Sequence, residues 1–125
     1  NDFPQVNFII ESIGEQSVTI RKKINQAHLR PGGTVSGPVL MEIADVALYV
    51  AILSEIGLVS LAVTTNFNIN FLRKPSSEKD IIAKCKLIKV GKTMAIGEVS
   101  IYSDGFIEPV AHAVGTYAIP ASSKN

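Results

Sequence analysis

The sequence predicts an α+β fold in which a curved antiparallel sheet of about five to six strands wraps around one long central helix. Three observations predict it. Residues 38–56 are dominated by Ala, Val, Leu, Ile and Met, leaving no stripe for water, which marks a helix enclosed on most sides. The other periodic stretches alternate at period two or are rich in β-branched residues. Short turn-forming clusters separate those stretches, as hairpins require.

Taken in order, residues 1–5 are turn-like, and 6–13 and 17–24 form a hairpin around Gly14, Glu15 and Gln16. The second strand sets Val18, Ile20 and Lys22 against Thr19, Arg21 and Lys23, so it is only partly buried. Residues 25–35 hold Pro31, Gly32 and Gly33 and form an ordered loop crossing to the helix. The helix starts at Ser36 or Gly37, with Ser36 as its cap and Pro38 in the first turn, where a missing N–H bonds nothing. It ends at Gly57, which adopts a left-handed cap cheaply. Residues 58–72 form a long strand with Val63, Thr65, Phe67, Ile69 and Phe71 on a face covering the helix. Thr64, Asn66, Asn68 and Asn70 form its polar face. Residues 81–90 and 94–102 pair around Gly91 and Lys92, and Asp104 with Gly105 turns into a last strand at 109–118.

A chain of 125 residues, 46% hydrophobic, suits one domain spanning 1–125. The formal net charge of +1 argues against a nucleic-acid surface. Glu42 and Asp45 interrupt the longest apolar run, short of the ~20 residues a membrane span needs, so no membrane association is expected and a cytoplasmic protein is. A mean hydropathy of +0.27 is high for a monomer of this size and points to apolar surface hidden by self-association. The single cysteine, Cys85, excludes an internal disulfide and reads as a small buried hydrophobe in a strand. No metal-ligand spacing, P-loop or dinucleotide fingerprint is present, and no cofactor is expected.

Within the helix Asp45 is the residue that asks for a reason, because a carboxylate in an apolar run must be paired, hydrogen-bonded or used. It is either a polar anchor of the core or interface, or a reacting group. Glu42 one turn earlier reads as a charge favouring the positive helix start. Ser36 reads as a cap, since no histidine lies at a spacing that suggests a base. His28 reads as a loop histidine and His112 as a structural one. Lys84, Lys86, Lys89 and Lys92 read either as a solvated strand face or as an anion site.

Three stretches, TVSGPVLMEIADVA at the helix start, TTNFNINFLRKP in the long strand and KVGKTMAIGEV at the second hairpin, resemble the hotdog-fold thioesterases. The resemblance covers about residues 24–118 and is to the phenylacetate-pathway-like acyl-CoA thioesterase branch. That family usually has His-Gly-Gly at the helix start and an aspartate nine positions after the histidine. Here those positions are Ser36, Gly37, Pro38 and Asp45. Arg30 stands where relatives often carry an asparagine that helps hold the carbonyl or water. The resemblance implies a hotdog fold and hydrolysis of a small or medium acyl thioester of coenzyme A, aromatic ones included. It also implies that Thr64 positions the attacking water beside the aspartate.

Thioester hydrolysis needs a donor for the developing oxyanion and a carboxylate that activates water or attacks directly. The Gly37 amide at a helix N-terminus is suited to the first task and Asp45 to the second, as base or as nucleophile. Eight residues along a helix span ~12 Å. Both groups must reach one substrate within ~3 Å, so they must come from two chains. A homodimer with two equivalent interface sites follows, and a dimer of dimers is expected. Ser36 flanks this site, and Arg30 reads either as a substrate contact beside it or as a loop anchor. Tyr49, one turn beyond Asp45, lines the acyl pocket, and Arg73, Lys74, Lys89, Gly91 and Lys92 contact the phosphates of coenzyme A, which is substrate rather than cofactor. The alternative is a non-catalytic acyl-CoA-binding or regulatory protein, motivated by Ser36 in the usual histidine position. A hotdog hydratase is disfavoured because the helix carries acids and no histidine.

Overall fold

The computed structural model describes residues 8–24, 29–30, 34–35, 37–57 and 63–119. Strands β1 (Phe8–Gly14) and β2 (Ser17–Lys22) precede a two-residue ribbon, β3 (Leu29–Arg30) and β4 (Thr34–Val35). Helix α1 (Gly37–Ile56) follows, then β5 (Val63–Phe71), β6 (Ile81–Val90), β7 (Met94–Ser103) and β8 (Ala111–Ala118). Six strands form one sheet in the order β1-β2-β6-β7-β8-β5, and each neighbouring pair runs antiparallel. This is the hotdog arrangement expected from the sequence. The 25–35 segment, read there as a loop, contains the β3–β4 ribbon.

Local chemistry explains the boundaries. Gly57 takes φ of 81° and its N–H donates to the Leu53 carbonyl at 2.9 Å, closing the helix at the predicted residue. Gly105 takes φ of 87° in the turn before β8. Gly91 donates to the Met94 carbonyl at 2.8 Å, which closes the β6–β7 turn. Residues 58–62, included in the predicted long strand, lie outside the described residues.

The core is one layer between α1 and the sheet. Leu40, Ile43, Ala44, Ala47, Leu48, Ala51 and Ile52 point from the helix onto Val18, Ile20, Ile81, Ala83, Cys85, Val99, Ile101 and Ala113. Cys85 is buried as expected, and burial pushes its thiol up to about 12, with Glu98 acting the same way. Lys22 alternates with Val18 and Ile20 and is buried with them, its Nζ 4.5 Å from the centre of the Phe8 ring. On the opposite sheet face Arg21 bonds Glu11, and Asp80 and Asp104 at 3.0 Å each, tying β2 to β1 and to the open end of the β6–β7 hairpin.

Two expectations are corrected. The chain does not enclose its helix on most sides: Met41, Glu42, Asp45, Ser54 and Glu55 are exposed and Val46, Tyr49, Val50 and Leu53 only half-buried. Helix composition counts apolar residues without revealing which molecule covers them. The predicted helix-side face of β5 holds for Phe67, Ile69 and Phe71 but not for the residues before them. This is an edge strand, and a bulge between Thr64 and Asn66 inserts one residue against β8. Past the bulge Phe67, Ile69 and Phe71 pair with Gly115, Ala113 and Ala111, on the helix side of the sheet. Before it Thr64 pairs with Tyr117, so Thr64 rather than Thr65 shares that side.

Candidate active site

Gly37 is the first residue of α1, where the backbone N–H groups have no partner within the helix, and the Phe71 ring lies over it: a Cβ on Gly37 would sit 3.4 Å from Phe71 Cζ. Asp45 lies two turns further on, ~12 Å along the axis. It projects from the side of α1 that the sheet leaves open, so its carboxylate is exposed rather than enclosed in the apolar interior.

The carboxylate is held by residues from two strands. The Tyr117 hydroxyl donates to Asp45 Oδ1 at 2.5 Å and lies 3.4 Å from the Asp45 main-chain oxygen. The Thr64 hydroxyl donates to the same Oδ1 at 3.4 Å. The bulge makes this possible: without the extra residue, period-two alternation would carry Thr64 to the far face. The Tyr117 ring is 3% exposed, and burial together with the bond to Asp45 raises its phenol far above the usual range, the Thr64 hydroxyl acting the other way. The phenol is therefore a neutral donor across the pH range in which proteins work.

Tyr49 stands one turn beyond Asp45, its ring centroid 6.1 Å from that of Tyr117 with the planes tilted by 33°. Together with Val46, Val50 and Val63 these rings wall a cavity of about 340 Å3 whose polar edge is Asp45 and Thr64. An apolar recess with a carboxylate and two hydroxyls on its rim can take an apolar acyl group while presenting its carbonyl to the acid.

The basic candidates fall at the two ends of the sheet. Arg73 and Lys74 follow β5 at the helix-start end. Arg73 Nη1 donates to the Pro109 carbonyl at 2.6 Å and its Nε is 3.5 Å from Glu108, and both side chains border a cavity of about 610 Å3 with Phe106 and Ile107. Lys89, Gly91 and Lys92 lie at the β6–β7 turn, beside the Met94–Ala118–Val63 register and so at the Asp45 end. One chain does not bring the two groups together. Arg30 sits on β3, opposite Thr34. Ser36 and His28 lie outside the described residues. His112 Nε2 is 3.0 Å from Glu98 on the face away from the helix. Among the described residues no group of three or more His, Cys, Asp or Glu side chains is placed to hold a metal ion, and no helix is long and apolar enough to cross a membrane.

Tyr117 is the site residue the sequence reading missed. A signal was present: Ala111, Ala113 and Gly115 share its face of β8, so a large ring ending a row of small residues has room to reach under the helix.

An antiparallel sheet packed on one long helix, with an acid midway along that helix and the helix start two turns before it, is the architecture of a hotdog-fold enzyme of the thioesterase class. The chain belongs to the Thioesterase superfamily, whose family model matches residues 32–107. It is similar to the crystal structure of a candidate thioesterase from Silicibacter sp. TM1040, with 42% identity and a TM-score of 0.87, covering 94% of this chain and 83% of that one. Its fold is also that of the PaaI protein from the phenylacetic acid degradation operon of E. coli, at 22% identity and a TM-score of 0.82, covering 93% of this chain and 86% of that one. A hypothetical thioesterase of Streptococcus pneumoniae TIGR4, solved with coenzyme A, shares the fold at 21% identity and a TM-score of 0.81, covering 94% and 89% of the two chains.

Proposed function

We propose that the protein hydrolyses acyl thioesters of coenzyme A carrying a small or medium acyl group, aromatic ones included, with Asp45 as the acting carboxylate. The observation that carries this reading is an exposed carboxylate, anchored by two hydroxyls, at the mouth of an apolar cavity. Asp45 takes a proton from a water that Thr64 helps to place, and the resulting hydroxide adds to the acyl carbon; in the second route Asp45 itself adds and water then opens the anhydride. Either route puts negative charge on the carbonyl oxygen and expels the thiolate of coenzyme A. Backbone N–H groups at the start of a helix stabilise that oxygen, and Gly37 supplies one where Pro38 has none.

Asp45 and the Gly37 amide of the same helix are two turns apart, so the site is completed by a second copy of the chain. The half-exposed apolar side of α1 and the edge strand β5, with Val63, Phe71 and Leu72 exposed, support a homodimer there. A two-fold arrangement that brings Gly37 of a second copy to Asp45 carries Arg73 and Lys74 of that copy with it. The two basic groups separated within one chain, these and Lys89 with Lys92, then flank one site and contact the phosphates of coenzyme A, beside Arg30 and Ser36. Pairing of such dimers into a tetramer, and a cytoplasmic location, belong to the same reading.

The test is release of free coenzyme A from a panel of acyl-CoA thioesters. Asp45→Asn is expected to abolish turnover and leave self-association unchanged, and an unchanged rate in that variant would remove the mechanism. Ser36, standing where the family usually has histidine, favours one other reading, a non-catalytic acyl-CoA-binding protein, which tight binding without product across the whole panel would establish.

A further inference from the structure

The proposed chemistry needs a carboxylate with one oxygen turned to the substrate, and Asp45 is on an exposed helix face where an unrestrained side chain would sample several rotamers. Two hydroxyls restrict it. Both donate to Oδ1, and among the described residues no donor reaches Oδ2. The Tyr117 bond at 2.5 Å is much the shorter, and its ring is locked by burial, whereas Thr64 reaches the same oxygen at 3.4 Å from an exposed edge strand.

We infer that Tyr117 is the positioning residue of this site: its hydroxyl anchors Oδ1 of Asp45, fixing the rotamer so that Oδ2 is the oxygen that meets the water or the acyl carbon. The inference rests on Asp45 being the acting carboxylate. It assigns a task to a residue at the far end of the chain, 72 positions from the acid it holds. The buried phenol suits the task because it stays protonated and cannot compete with Asp45 as a base. The hydroxyl must also remain on the donor side of the bond, since an ionised Asp45 has only acceptors to offer.

The experiment compares wild type, Tyr117→Phe, Asp45→Asn and the double variant, using the best acyl-CoA of the panel. Tyr117→Phe keeps the ring and hence the pocket wall, so kcat is expected to fall roughly ten- to a hundredfold with KM changed by less than about twofold, the loss of one charge-assisted hydrogen bond made to the reacting group. On whatever residual turnover Asp45→Asn retains, adding Tyr117→Phe is expected to have no further effect, because Tyr117 acts through Asp45. Protein labelled at the tyrosine ζ carbon gives a readout independent of turnover: the Tyr117 resonance is expected to move in Asp45→Asn while that of Tyr102 stays in place. A dead Asp45→Asn beside a Tyr117→Phe of wild-type kcat would overturn the role of Tyr117 alone. A loss in Tyr117→Phe that falls on KM, or an unmoved Tyr117 resonance, would reduce it to a pocket wall and overturn the role as well. An Asp45→Asn variant as fast as wild type would overturn the functional reading, and the positioning role with it.

Discussion

Leu48 lies so close over Gly115 that a Cβ there would come within 2.4 Å of its Cδ2, and a Cβ on Gly97, directly across the β7–β8 ladder, would meet its Cδ1 at 2.5 Å. One leucine thus fills a notch made by two paired glycines, and that contact sets how deeply α1 sinks into the sheet. Leu48 is fully buried and cannot swing aside without displacing its neighbours. Gly115→Ala is expected to destabilise the fold by ~1–3 kcal/mol through overpacking. Leu48→Ala alone is expected to cost ~2–5 kcal/mol as a cavity. The double variant should be more stable than the sum of the two, since the smaller residue makes room for the added methyl. Urea unfolding of the four proteins checks this, and strict additivity would show that the contact does not limit packing.

Lys22 gives stability a pH dependence of known sign. Burial holds its ammonium below the ordinary lysine range, with Glu42 acting in the opposite direction. The folded chain therefore releases the proton at lower pH than the unfolded chain does. Between those two pH values the unfolded state binds more protons, so stability rises with pH; below the window the cost of burying the charge is present in full. Relative to Lys22→Met, which has no titration there, wild type is expected to gain stability as the pH is raised from neutral toward 10.5, the unfolded lysine value. Chemical denaturation of both proteins at neutral pH and in the alkaline window measures the difference, and a gap that stays constant or widens against wild type would refute the assignment.

The fold was legible where local chemistry decides it. Gly57 and Asp104 with Gly105 stop the helix and turn the chain where their backbone preferences say they should, and the strands read at 81–90, 94–102 and 109–118 correspond to β6, β7 and β8. Two features were not legible, for separate reasons. A period of two carries no record of an inserted residue, so the pattern alone sent Thr64 to the polar face; its place beside Asp45 came from resemblance, and the bulge reconciles the two. Tyr117 meets Asp45 only after β8 pairs with both β7 and β5 and the helix packs on them, and no local window contains both residues. The helix was legible as apolar but not as half-covered, because Val46, Tyr49, Val50 and Leu53 have the composition of a core while remaining only half-buried by the described residues.

A site shared between two copies makes a prediction that a site within one chain does not. Gly37→Pro removes the N–H proposed to hold the oxyanion while keeping a φ that suits the first helical residue, so it is expected to lose turnover, whereas Gly37→Ala keeps the N–H and is expected to remain active. Asp45→Asn removes the acid. If each site takes its acid from one copy and its amide from the other, a mixed dimer of Gly37→Pro and Asp45→Asn has one site with both defects and one with neither. Random reassortment of equal amounts of the two inactive proteins should then restore about a quarter of wild-type activity, because half of the dimers are mixed and each has one intact site. If acid and amide acted within one chain, every site in the mixture would carry one defect and nothing would be restored. Unfolding and refolding the two variants together, then measuring coenzyme A release against each refolded alone, separates the outcomes, and a mixture as inactive as its parts would exclude the shared site.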